Sequence, residues 1–200
     1  MSKKSLIVWI MLFIGAALWL GFYISHKMEV SLKTEETGNA LIGGHFSLRD
    51  VNGNTVASER FLGRYMLVYF GYSFCPDICP TGLENMTEAM NILGDDGKKV
   101  QPIFITVDPK RDTESQLAVF MESFHPSFIA LTGSESSVKQ AMQAYRVYAS
   151  PVKDKGSAEY LVDHSSIVYL MGPDGKFITH FTHQTPGSEM AFKIREILKQ

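Results

Sequence analysis

Met66-Leu67-Val68-Tyr69-Phe70-Gly71-Tyr72-Ser73-Phe74-Cys75-Pro76-Asp77-Ile78-Cys79-Pro80 opens the segment whose reading decides the fold. Its first five residues are apolar without alternation, the pattern of a strand covered on both faces. A second run of this kind follows at Ile103-Phe104-Ile105-Thr106-Val107. Between the two, Leu83, Met86, Met90 and Leu93 recur at helical spacing over 81–93, and Gly94 and Gly97 supply a stop and a turn. Strand, helix and strand in this order predict a β-α-β unit with parallel strands, since a parallel pair needs a crossover connection.

On the N-terminal side, Phe46-Ser47-Leu48 and Thr55-Val56-Ala57 flank Asp50-Val51-Asn52-Gly53-Asn54. Asn52-Gly53 tolerates positive φ at both positions, so a β-hairpin is expected. On the C-terminal side, Leu117, Phe120, Met121 and Phe124 form one amphipathic helical face, and Val138, Ala141, Met142 and Tyr145 form another. Ile167-Val168-Tyr169-Leu170-Met171, the turn Gly172-Pro173-Asp174-Gly175 and Phe177-Ile178 predict an antiparallel hairpin. A last helix is expected to start at Ser188 as its cap and to bury Met190, Ala191, Ile194, Ile197 and Leu198. This order is that of an α/β, thioredoxin-like domain, a central mixed sheet flanked by helices, with an N-terminal β-hairpin added.

The 200 residues, 45% hydrophobic, suffice for one domain with a substantial core. With 19 basic and 21 acidic residues, the net charge of −2 gives no electrostatic basis for binding nucleic acid. After Lys3 and Lys4, residues 6–24 contain no charge and are long enough as a helix to cross a bilayer. A cleaved signal peptide usually has a shorter apolar region and a small-x-small site, which Gly21-Phe22-Tyr23-Ile24-Ser25-His26 does not offer, so an uncleaved anchor is preferred. The two lysines orient the N-terminus toward the cytoplasm. The expected organisation is therefore a cytoplasmic N-terminus and transmembrane helix over 1–25, a polar tether over 26–40, and a thioredoxin-like domain over 41–200, which the residues discussed next read as copper-binding. That domain would lie on the extracytoplasmic side of a single-pass protein of the bacterial cytoplasmic (inner) membrane.

Cys75 and Cys79 are the two cysteines of the chain, which excludes a multi-bridge scaffold and a four-thiolate zinc site. They occupy the turn between the first long strand and the first helix, at the strand ends where open α/β sheets usually bind ligands. At i and i+4 in a helical turn both sulfurs share one face, and a helix N-terminus favours the thiolate. Outside the cytoplasm the pair can also persist as a disulfide, although a purely structural bridge closing so short a loop constrains the unfolded chain little. A metal needs a third ligand. His26, His45, His125, His180 and His183 read as solvated or locally hydrogen bonded. His164, in Val162-Asp163-His164-Ser165-Ser166, precedes a strand whose leading loop faces the cysteines in a thioredoxin-like sheet. Two thiolates and an imidazole form a soft set suited to Cu(I) and able to hold Cu(II), whereas structural zinc would want a fourth protein ligand that the sequence does not identify.

The blocks 69–81, Thr106-Val107-Asp108-Pro109-Lys110-Arg111-Asp112-Thr113 and 162–166 resemble the signature segments of the Sco/SenC family, in order and spacing. That resemblance implies a membrane-anchored, thioredoxin-like copper chaperone with Cys75, Cys79 and His164 as ligands. It also implies a client, the dinuclear copper site of cytochrome c oxidase subunit II, to which copper would be delivered or whose cysteines would be maintained. Other copper chaperones or thiol reductants are further expected partners. Two positions depart from the pattern: Phe74 stands where members often carry His, and Glu114 follows Thr113 where a Pro is common. Asp108, Arg111 and Asp112 are read as bracing a loop by hydrogen bonds and charge pairing. Asp77 and Asp163 are read as exposed turn residues. The competing reading is a thiol-disulfide oxidoreductase that uses the redox-active pair Cys75 and Cys79 on exported clients without copper transfer. CxxxC spacing, in place of CxxC, and His164 opposite it favour metal over such an enzyme. A peroxidase and a plain binding module account for fewer of these features.

Overall fold

A computed structural model of the protein describes residues 19, 21, 23, 42–153 and 160–199. The chain divides into two units, Met1–Ala40 and Leu41–Gln200, and the elements named below belong to the second. Apart from Trp19, Gly21 and Tyr23, the expected anchor and tether lie outside the described residues, among which no helix is long and apolar enough to cross a membrane.

β1 (Ser47–Asp50) and β2 (Thr55–Ala57) form the expected antiparallel hairpin. The Asp50 carboxylate closes its turn by accepting from the amides of Asn52 and Asn54, both at 2.9 Å, and Gly53 takes the positive φ of 79° that the turn demands. β3 (Tyr65–Gly71), α1 (Ile78–Leu93) and β4 (Val100–Thr106) are the β-α-β unit, with β3 and β4 parallel over seven paired positions. α2 (Glu114–Met121) and α3 (Glu135–Ala144) start where Thr113 and Ser134 accept hydrogen bonds from the amides of Gln116 and Ser137. β5 (Ile129–Thr132) lies between these helices and pairs with both β1 and β4. β8 (Ile167–Met171) and β9 (Phe177–Thr182) form the C-terminal hairpin, followed by α4 (Gly187–Leu198).

The main sheet runs β2-β1-β5-β4-β3-β8-β9, and alternate side chains of its central strands build a core on each face. Leu67, Tyr69 and Phe104 pack with Leu83, Met86, Met190 and Ile194 of α1 and α4. Val68, Phe70, Ile103 and Ile105 pack with Phe46, Leu48 and the α3 residues Val138 and Ala141. Each fully buried Leu, Ile, Met or Phe is worth roughly 1.5–3 kcal/mol relative to exposure, so the continuous apolar runs hold the sheet's centre. β8 is antiparallel to β3, with Tyr69 opposite Val168. The chain leading into β8 therefore arrives where β3 ends, at the cysteine segment.

Three features differ from the sequence reading. Helix α1 begins at Ile78, ahead of the expected 81, because the Cys79 and Thr81 amides find acceptors in the Cys75 sulfur and the Asp77 carbonyl. Ser188 does not cap the last helix. Pro186 holds that position, and the Gly187 amide donates instead to the Glu88 carboxylate of α1, so the acceptor comes from a neighbouring helix. A separate antiparallel pair, β6 (Ala149–Lys153) and β7 (Tyr160–His164), stands off the main sheet and carries His164 at its end.

Candidate metal centre

The loop after β3 is fixed before it reaches the cysteines. Asp112, fully buried, accepts from the Ser73 amide at 3.1 Å, the Ser73 hydroxyl at 2.6 Å and the Thr106 hydroxyl at 2.6 Å. Burial holds the Asp112 carboxyl above the usual carboxylate range, and these hydrogen bonds oppose that shift. Arg111 pairs with Asp108 at 2.5 Å, and Tyr160 donates to the same carboxylate at 2.8 Å. Asp108 and Asp112 thus brace the loop, as the sequence reading expects.

Beyond this anchor the chain turns so that Cys75 lies just ahead of α1 and Cys79 in its first turn. The Cys79 amide donates to the Cys75 sulfur at 3.3 Å. Cys75 thus satisfies one of the helix N-terminal amides that have no carbonyl partner inside the helix. Both cysteines are free, Cys75 8% exposed and Cys79 fully buried. His164 Nε2 lies 3.2 Å from the Cys79 sulfur, and its Nδ1 lies 3.1 Å from the Ser165 carbonyl. A carbonyl can only accept, so in the neutral ring Nδ1 carries the proton and the Nε2 lone pair faces the sulfurs. The Tyr72 ring and the imidazole meet edge to face, with centroids 5.7 Å apart. Among the described residues, Cys75, Cys79 and His164 are the one His, Cys, Asp or Glu group able to hold a metal ion, their ligand atoms all within 4.8 Å of one another. A cavity of about 340 Å³ is lined by Cys75 and His164, with Cys79 buried behind it and the exposed Ile78 and Leu161 also in its lining.

The two thiols are electrostatically unequal. Donation from the Cys79 thiol, against the cost of burial, lowers the Cys75 thiol to about 3, and the amides of Asp77 and Cys79 act in the same direction. Cys79 is pushed up, first by giving its hydrogen bond to Cys75 and then by its own burial. In the reduced pair Cys75 is therefore the more acidic thiol and gives up its proton before Cys79. Because folding lowers the Cys75 thiol from 9.0, its contribution to stability is present above that value and is lost as pH falls toward 3. Cys79, shifted upward, contributes below its ordinary value and loses that contribution at higher pH. Ultraviolet thiolate absorbance of the reduced chain is expected to hold at the amplitude of one thiolate from about pH 8 to about pH 5. In Cys75→Ser it is expected to be absent over that range, and a parent chain losing its absorbance near the ordinary thiol value would contradict the assignment.

Gly71, the last residue of β3, lies against this pair. A Cβ there would meet the Cys79 sulfur at 2.8 Å and the Phe104 ring at 2.9 Å. Gly71→Ala is expected to displace the Cys79 sulfur and to cost about 1–3 kcal/mol of stability by overpacking, read as a lower urea midpoint together with weaker metal binding. The remaining sequence candidates take local roles. His45 pairs with Glu59 at 2.7 Å, His125 bonds Ser127 at 2.7 Å, and His180 stacks on Phe177. Asp77 is the N-cap residue of α1 without a side-chain cap bond, Asp163 is exposed on β7, and Phe74 packs its ring on Arg111. Tyr72, Tyr160 and Gly71 adjoin the centre without any spacing signal in the sequence to mark them.

A thioredoxin-like domain that converges two cysteines and one histidine at the carboxyl end of its central strands defines a class, the thiolate-imidazole metal-binding proteins of this fold. The SCO1/SenC family matches residues 34–199, and the chain belongs to that family. It is 39% identical over 195 residues to the mitochondrial SCO2 homolog of Danio rerio, an alignment covering 94% of this chain and 70% of the relative. A SCO2-like protein of Rickettsia conorii is 42% identical over 153 residues, covering 76% and 75% of the two chains. Among solved structures, Bradyrhizobium japonicum ScoI with copper bound superposes with a TM-score of 0.72 at 38% identity, covering 78% of this chain and 98% of that one. Yeast Sco1 with copper bound gives 0.73 at 40% identity, covering 80% and 89%.

Proposed function

We propose that this chain is a copper-binding protein of cytochrome c oxidase assembly in which Cys75, Cys79 and His164 hold the metal. The observation that carries this reading is the convergence of two cysteine sulfurs and one imidazole nitrogen in a set of soft donors, without an adjacent carboxylate ligand among the described residues. Such donors suit Cu(I) and accept Cu(II). Loading copper requires the Cys79 proton to leave, so binding releases a proton and depends on pH. The cavity lined by Cys75 and His164 gives a partner's thiolates a route to the metal, and transfer is a ligand exchange that needs no turnover.

The client in this proposal is the dinuclear copper site of subunit II. Residues 1–25 serve as a membrane anchor and 26–40 as a tether, which place residues 41–200 outside the cytoplasm. Support for the anchor is the uncharged run 6–24 behind Lys3 and Lys4. The pair must be reduced to bind, because a Cys75-Cys79 disulfide removes both thiolates. The direct test titrates the reduced and the oxidised full chain with Cu(I) against a chromophoric competitor. One equivalent is expected to bind the reduced form and none the oxidised form. Equal binding by both forms would refute the ligand set.

A second reading, thiol-disulfide exchange on exported clients, is favoured by the Cys75 thiolate, which persists at neutral pH in a slightly exposed position. It is supported if the reduced chain reduces a client disulfide equally well with His164→Ala and without copper. A dependence of that reaction on His164 and copper would count against it.

A further inference from the structure

The strand that delivers His164 is not held by the main sheet. β6 and β7 pair only with each other among the described strands, so other contacts must hold β7 against the cysteine segment. Two are present. The Val162 amide donates to the Tyr72 hydroxyl at 3.1 Å. Arg111, in the loop between β4 and α2, places its guanidinium carbon 3.8 Å from the centroid of the Tyr160 ring and 4.8 Å from that of Phe74. One guanidinium thus bridges the residue just before Cys75 and the first residue of the strand that ends in His164. Its other bonds fix the plane: Nε donates to Asp108 at 2.5 Å and Nη1 to the Tyr160 carbonyl at 2.9 Å. Nη2 is buried and has no hydrogen-bond partner among the described residues, so this edge of the group meets them by ring contact. Residues 160, 162 and 164 alternate onto one face of β7: Tyr160 meets Arg111 and Asp108 of the loop between β4 and α2, and His164 meets Cys79 and Tyr72 of the cysteine segment.

We infer that Arg111 is a positioning residue for the metal centre, a clasp that stacks between Phe74 and Tyr160 and thereby sets His164 over Cys75 and Cys79. Its consequence for metal binding rests on the copper ligand set proposed above, whereas its mechanical part does not. Arginine is suited to the role because a planar, permanently charged fork can stack on rings and bond a carboxylate and a carbonyl together. Lysine keeps the charge near Asp108 and loses the plane.

The test has a metal-free arm and a copper arm, both on the full reduced chain, with Arg111→Lys and Arg111→Met. Tyr160→Ala removes the opposite ring from a partly exposed strand and keeps the test available if the arginine variants do not fold. In the metal-free arm, amide hydrogen exchange at Val162 is expected to accelerate by about tenfold or more as β7 opens locally. Unchanged exchange overturns the clasp. In the copper arm, Cu(I) affinity is expected to fall by about ten- to a hundredfold, the usual cost of losing a group that orients a ligand. The same substitution in a His164→Ala background is expected to cost nothing further, because the clasp acts through His164. An equal loss in both backgrounds, or no loss with His164 present, overturns the positioning role. Faster exchange in a protein whose His164→Ala variant binds copper as tightly as the parent retains the clasp and refutes the copper set.

Discussion

Cys75→Ser and Cys79→Ser are each expected to weaken Cu(I) binding by at least about a hundredfold. Structural zinc held by four ligands is worth about 10–16 kcal/mol, or roughly 3 kcal/mol per ligand, and a hydroxyl does not replace a soft thiolate on Cu(I). Competition against a chromophoric Cu(I) ligand measures the loss. The two variants should differ when metal-free. Cys75→Ser removes the anion that accepts the Cys79 amide at the start of α1, whereas Cys79→Ser leaves the Cys75 thiolate in place with a hydroxyl able to donate to it. Thiolate absorbance at neutral pH is therefore expected to vanish in the first and to persist in the second. Retained tight binding by either variant would mean that the thiols are not a joint ligand pair.

His164→Ala is expected to separate the two oxidation states of the metal. Cu(I) loses one of three donors and falls by about ten- to a hundredfold, because the two thiolates still suit it. Cu(II) depends more on the imidazole, so its affinity should fall by at least about a hundredfold and its thiolate charge-transfer band should shift. The effect is local, since the Ser165 carbonyl fixes the ring from outside the sheet and Tyr72 meets it only in an edge-to-face contact. Matched titrations with both ions check this, and an unchanged Cu(II) spectrum would remove His164 from the site.

Much of this centre was legible because it is built from residues with narrow chemical uses. Cys75 and Cys79 follow the end of an apolar strand, and His164 lies just before another that pairs with it, so topology brings them to one end of the sheet. The buried runs of β3 and β4 and the Asn52-Gly53 turn were equally plain. β5 was not, having four residues and no pattern beyond its length, nor were β6 and β7, where Pro151, Lys153 and Asp163 interrupt any alternation. Their pairing depends on each other and on Arg111 and Tyr72, contacts that span 49 and 90 positions of sequence. Nothing in the sequence marks Gly71, and its significance emerges only when the Cys79 sulfur is seen against it. The first turn of α1 was misplaced for a related reason, because its acceptor is a cysteine sulfur, which no capping preference anticipates.

The most direct test of the copper ligand set is X-ray absorption at the copper edge of the reduced full chain loaded with one equivalent of Cu(I). The proposed ligands predict a first shell of two sulfurs and one imidazole nitrogen, reduced to sulfur alone in His164→Ala. A parent spectrum with sulfur ligands only, or with nitrogen and oxygen ligands only, would contradict it.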